Sequence, residues 1–239
     1  MTAAHGFSRS LIHVAVFYVL LSTGVPGPVV FQRSDHPTMR PITQSTAPLS
    51  SFDPRTLAHY EKENYVAYYQ KDWLKLLRVS VGMVKESFGL NWLQAIYGAY
   101  LVARAEAAFA PFPANDVPRA EAYITRFYRF IKRTHHAGFD PVRAARLELN
   151  WWGVHRRLFG DAKNAELVDA LVALYAEAYG IDPARVREAC RLRAAGMLYS
   201  DLWVNAGKPV SSPLLTQEED ALFQSYRTLK AVLTDPRSV

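Results

Sequence analysis

Cysteine is all but missing from this chain. Among 239 residues there is one, Cys190. That excludes an intrachain disulfide framework and any zinc site built from cysteines. Cys190 falls inside a helical pattern and reads as a small core residue. Familiar catalytic signatures are missing too. The chain has no glycine-rich phosphate loop, no G-x-S-x-G elbow and no H-E-x-x-H zinc motif. From Phe52 onward no stretch alternates apolar and polar residues as a half-buried strand does. Apolar residues, by contrast, are plentiful. They make up 50% of the chain, with 13% aromatic, which is ample for a core and excludes a disordered protein.

The first fifty residues differ from the rest. "SLIHVAVFYVLLSTGV" follows Arg9 and is mostly apolar, like the central region of a signal peptide. It is short for a spanning helix, which needs about 20 apolar residues, and Pro26 and Pro28 end it. "RSDHPTMRPITQSTAPLSS" then reads as a Pro/Ser/Thr-rich linker. Residues 1–38 also fit an upstream artefact preceding a true start at Met39. The chain therefore divides into an N-terminal segment, 1–51, and a single helical domain, 52–239. The cytoplasm is the expected compartment, and export is the alternative if residues 1–24 act as a signal peptide.

Helix signals dominate the domain. "FDP" at Phe52, "FDP" at Phe139 and "IDP" at Ile181 place Asp at an N-cap and Pro at the first helical position. There the carboxylate satisfies an orphan N–H, and Pro loses no hydrogen bond. Gly89 and Gly180 stand where a helix end needs positive φ. The pattern predicts helices over 54–70, 73–88, 92–110, 117–136, 141–159, 164–179, 183–205 and 214–233. The order of features also repeats. "FDPRTLAHYEKENYVAYY" matches "FDPVRAARLELNWWGVHR" at an offset of 87, "MVKESFGL" matches "LYAEAYGI" at 91, and "FYRFIK" matches "SYRTLK" at 98. The expected fold is all-α, an eight-helix bundle of two tandem four-helix repeats, about 53–136 and 140–233, sharing one core.

Polar groups then stand out on apolar faces. Leu57, Glu61, Tyr65 and Tyr68 lie on one face of the first helix. Ala145, Glu148, Trp152, His155 and Phe159 do so on the fifth. Glu86 and Glu177 occupy matching places on the second and sixth. An ionised carboxylate is costly to bury unless it is paired or binds metal. Glu61, Glu86, Glu148, His155 and Glu177 are therefore candidate ligands for Fe or Mn, since hard oxygen donors with one imidazole suit those metals. Tyr68, Trp152 and Arg104 are candidate ligand-contacting or hydrogen-bonding groups. Against a metal, the chain lacks the Glu-x-x-His pairs of di-metal carboxylate bundles. The competing reading is an internal ion-pair network. In it a buried Arg104 serves Glu61 or Glu148, while Arg191 and Arg193 serve Glu86 or Glu177. His59 and Glu63 form a further helical pair, read as a surface pair.

Charge is unevenly spread. The net charge is +6, and residues 111–160 hold nine Lys/Arg against four Asp/Glu. This basic band, 119–146, suits nucleic acid or an anionic membrane surface, although a solvated helix face explains it more simply. Three functional readings follow. The leading one is a non-catalytic helical protein binding a small apolar ligand or a protein partner. The second is a metal- or haem-dependent oxidoreductase with a carboxylate/His site inside the bundle. The third is nucleic-acid or membrane-surface binding through the basic band.

Overall fold

Asp, Asn and Ser residues stand at the start of every helix. In the computed structural model, which describes residues 49–235, the elements are α1 (Pro54–Gln70), α2 (Trp73–Phe88), α3 (Trp92–Phe109), α4 (Val117–His135), α5 (Pro141–Arg157), α6 (Ala165–Tyr179), α7 (Pro183–Asn205) and α8 (Pro213–Thr234). The fold is all-α, with no strand among the described residues. The signal-like segment, the Met39 start and the linker up to residue 48 lie outside the described residues.

The predicted caps operate as expected. Asp53 accepts from the backbone N–H of Thr56 at 2.8 Å. Asp140 accepts from Val142 at 2.8 Å, and Asp182 from Ala184 at 2.7 Å. Gly89 and Gly180 close α2 and α6 at φ 55° and 65°. That left-handed conformation is unstrained only for residues without a Cβ. One boundary differs by more than a residue. Helix α5 stops at Arg157 rather than 159. Gly160 turns at φ 73°, and its N–H donates to Asp201 at 2.9 Å, so the chain bends toward α7 before another turn can form.

The helices close a ring. Each packs on its neighbours in the chain, α8 packs back on α1, and α1 also touches α7. Three helical glycines allow close approach. A Cβ on Gly82 of α2 would meet the Tyr60 ring at 2.6 Å. A Cβ on Gly196 of α7 would meet Leu222 Cγ at 2.9 Å, and one on Gly98 of α3 would meet Val84 at 3.0 Å. The core runs through all eight helices, from Leu57 and Leu101 to Ile131, Leu171, Val186 and Leu222. Cys190 is fully buried in it.

Three interactions occur twice. The backbone N–H of Asp53 donates to Glu86 at 2.5 Å, and that of Asp140 to Glu177 at 2.9 Å. Lys230 donates to the carbonyl of Phe52 at 2.8 Å, and Lys132 to that of Phe139 at 2.8 Å. The Tyr226 hydroxyl donates to Glu61, and the Tyr128 hydroxyl to Glu148 at 2.7 Å.

Candidate ligand cavity

An internal cavity of about 140 Å³ lies within the ring. Helices α1, α2, α3, α5, α7 and α8 supply its wall. Helices α4 and α6 stand behind and support it through Tyr128 and Tyr175.

From α1, Glu61 projects into the wall and is held from two sides. Arg193 of α7 donates to it through Nε at 3.1 Å and through a terminal nitrogen at 2.9 Å. Tyr226 of α8 donates to its other oxygen. Arg193 also donates to the Tyr175 hydroxyl at 3.0 Å and lies 5.3 Å from the Trp151 ring centroid. The Glu61 carboxylate beside it holds the guanidinium well above its usual pKa against the opposing effect of burial. This is a buried, hydrogen-bonded ion pair, so removing one partner would strand the other.

Glu148 of α5 is satisfied differently. It accepts from Tyr128 at 2.7 Å and from Trp152 Nε1 at 3.0 Å. Both are neutral donors. Burial therefore pushes its carboxyl above the usual range despite those bonds. Two turns further along, His155 Nε2 meets Asp201 of α7 at 3.1 Å. Asp201 also accepts from the Tyr65 hydroxyl at 2.7 Å and from the Gly160 N–H at 2.9 Å. One buried carboxylate thus ties α1, α5, α7 and the α5–α6 turn together.

Two further carboxyls complete the wall. Burial pushes Glu106 of α3 up to about 8, with a smaller contribution from Glu148. Burial also pushes Glu218 of α8 up to about 8, against the Ser200 hydroxyl and Lys62. Glu218 is 1% exposed. Its Oε2 has no hydrogen-bond partner among the described residues.

Of the five candidate metal ligands, the cavity collects Glu61, Glu148 and His155. Glu86 and Glu177 are outside its wall. Each instead accepts the N–H of an N-cap aspartate, and Glu177 also pairs with Arg143 at 3.0 Å. Among the described residues, no three His, Cys, Asp or Glu side chains are grouped to hold a metal ion. Trp152 lines the cavity. Tyr68 packs edge-on against Tyr69 at 5.0 Å, and Tyr65, one turn earlier, reaches the Asp201 carboxylate instead.

The expected arginine partners also change. Arg104 donates to Tyr100 at 3.0 Å and stacks over Tyr123 at 4.9 Å rather than serving Glu61 or Glu148. Arg193 takes that role for Glu61, while Arg191 pairs with Glu188 on the surface. His59 pairs with Glu219 across α1 and α8, not with Glu63, which Lys62 and Lys75 neutralise.

Glu106, Asp201 and Glu218 were not singled out in the sequence, yet a signal was present. Cys190, Ala194, Met197 and Asp201 share one helical face, as do Glu218, Leu222, Ser225 and Leu229. Each carboxylate ends an apolar line, as Glu61 interrupts one. Glu218 was hidden by its neighbours Glu219 and Asp220, which make the stretch resemble a solvated acidic run.

A larger cleft, about 710 Å³, opens on the outside between α1 and the start of α8. Lys62 is paired there with Glu219 at 2.6 Å and with Glu63 at 2.9 Å, and Arg55 lies over the Phe223 ring at 4.4 Å. It holds no comparable unsatisfied group, so the smaller internal cavity carries the functional argument. No helix among the described residues is long and apolar enough to cross a membrane. Comparison with known proteins finds no matching family model, curated protein or solved structure.

Proposed function

We propose that this is a non-catalytic binding protein that encloses a small ligand in the cavity at the centre of its helical ring. One observation carries the reading: the buried Glu218 Oε2 has no protein partner, and an unsatisfied buried acceptor costs about 1–3 kcal/mol. A bound molecule that donates to it recovers that cost. The wall mixes apolar and ionisable groups, so the ligand is partly polar rather than purely apolar. The test is a thermal-shift screen of wild type against Ala103→Phe, which fills the cavity. Ligands should raise the Tm of the wild type alone. Equal responses in both proteins would place binding elsewhere.

The twofold recurrence of the Asp–Glu, Lys–carbonyl and Tyr–Glu interactions supports reading the chain as two related four-helix units. On that reading, Glu61 and Glu148 are equivalent positions inherited with the fold. His155, Asp201 and Arg193 are later asymmetric additions around the cavity.

Two other readings rest on separate observations. An Fe- or Mn-dependent, or haem-dependent, oxidoreductase is favoured by the shared location of Glu61, Glu148 and His155. Elemental analysis and an absorption spectrum of chelator-free protein test it, and a colourless, metal-free protein after Fe(II) or Mn(II) addition ends it. Contact with a protein partner or an anionic surface is favoured by the outer face of α3 and α4. Trp92, Leu93, Ile96 and Tyr97 are 46–81% exposed there. Arg119, Arg126, Arg129 and Arg133 form an exposed line along α4. Salt-sensitive vesicle or DNA binding, lost on neutralising Arg126 and Arg129, is required by the anionic-surface reading.

A further inference from the structure

The cavity wall has more carboxyl than cation. Glu61, Glu106, Glu148 and Glu218 all line it, and Arg193 is the one Lys or Arg among the lining residues. Arg193 is already committed to Glu61 by two hydrogen bonds. Glu148 takes neutral hydrogen-bond donors, Tyr128 and Trp152 among them, and Arg193 acts on it only through space. Glu106 meets no hydrogen-bond donor among the described residues. Glu218, 1% exposed, keeps one oxygen without a partner. The other ionisable groups near the cavity do not relieve this. His155 is bonded to Asp201, which also takes the Tyr65 hydroxyl, and Lys62 is bonded to Glu219.

The missing charge matches an organic cation better than a metal ion. A metal needs several ligand atoms converging on one point, and no such group of three is present among the described residues. An ammonium ion is satisfied by carboxylates a few ångströms apart and by aromatic faces, and Trp151, Trp152 and Tyr65 supply those in the same wall. The space, about 140 Å³, is close to the roughly 150 Å³ at which a cavity takes up a benzene-sized molecule of about six heavy atoms. It therefore admits an ion of roughly that many heavy atoms.

We propose that the central cavity binds a small organic ammonium ion, shared between Glu218 of α8 and the Glu106–Glu148 pair of α3 and α5. This rests on the reading of the cavity as a ligand site and names the chemistry of its ligand. Burial, with no cation committed to either group, holds protons on Glu106 and Glu218 at neutral pH. An arriving ammonium ion displaces them, and binding releases protons to solvent.

Calorimetric titration of the full chain tests this with ethylammonium and 1,4-diaminobutane. Ethanol and 1,4-butanediol serve as neutral counterparts. At pH 7, in two buffers of different ionisation enthalpy, the amines should bind with net proton release. Raising the pH to 8.5 should tighten them. Glu218→Gln and Glu106→Gln, near-isosteric changes checked for folding by circular dichroism, should each weaken amine binding about tenfold or more. Arg191→Gln, on the surface beside Glu188, should not. Equal binding of neutral and charged probes overturns the ammonium inference and leaves the ligand cavity standing. Binding of Mn2+ without amine binding overturns it in favour of a metal. If neither amines nor neutral probes bind, both the inference and the cavity reading fall.

Discussion

His155 on α5 and Asp201 on α7 meet Nε2 to Oδ2 at 3.1 Å, with each side chain 3% exposed. Asp201 holds two further donors, the Tyr65 hydroxyl and the Gly160 N–H. Three elements therefore depend on one carboxylate. Asp201→Ala leaves all three donors buried and unmatched, at about 1–3 kcal/mol for each unsatisfied group. It should destabilise the fold by about 3 kcal/mol or more in urea titration. Asp201→Asn keeps an acceptor and should cost less. Equal costs for the two variants would show that the network does not act through its hydrogen bonds.

Glu106 and Glu218 make stability depend on pH in an unusual direction. Their folded-state values, about 8, lie above the ordinary value of 4.5. Between those limits the folded chain binds more protons than the unfolded one, so stability falls as pH rises. The contribution is complete below about pH 4.5 and lost as pH passes 8. Glu218→Gln, neutral at every pH, should flatten this slope. It should also make the protein more stable than wild type above pH 8, by about 2–4 kcal/mol from the size of the shift. Denaturant titrations at pH 6, 7, 8 and 9 measure it. A wild-type stability that rises across that range would refute the assignment.

Arg193 and Glu61 should behave as a coupled pair. Arg193→Met strands a carboxylate 15% exposed, and breaking such a pair costs about 3–5 kcal/mol. Glu61→Gln/Arg193→Met removes both charges and should recover part of that loss. A double-mutant cycle with additive effects would show the two side chains to be uncoupled.

Glu86 and Glu177 should prove to be structural. Each accepts the N–H of an N-cap aspartate, a contribution of about 1 kcal/mol. Glu86→Ala and Glu177→Ala should lower stability by similar, modest amounts. The exposed Arg143 adds little to Glu177. Neither variant should alter ligand or metal content. Loss of a bound metal on Glu86→Ala would return this residue to the ligand set.

Much of the fold was legible because its signals are local. Asp-Pro starts at Asp53, Asp140 and Asp182 and glycine stops at Gly89 and Gly180 need only nearby backbone to act, and the structure uses them in place. The site was legible in part, for a different reason. Helical periodicity puts Glu61, Glu148 and His155 on inward faces, and all three reach the cavity. Periodicity does not state which helix lies opposite. Arg193 and Arg104 both sit among apolar residues, but only ring geometry brings α7 across from α1. Likewise Glu86 lies on an apolar line yet ends beside the Asp53 N–H, because the end of α2 returns to the start of α1.

The contact of α8 with α1 has a consequence for the order of synthesis. Glu61 is made with the first helix, but its partners come from the last two, Arg193 and Tyr226. Lys230 likewise reaches back to Phe52. During translation, Glu61 must remain solvated until nearly the whole domain has emerged. A chain interrupted before α8 leaves the Glu61 carboxylate without Tyr226 and the cavity without the wall that Glu218 provides. The cavity is thus among the last features the chain completes.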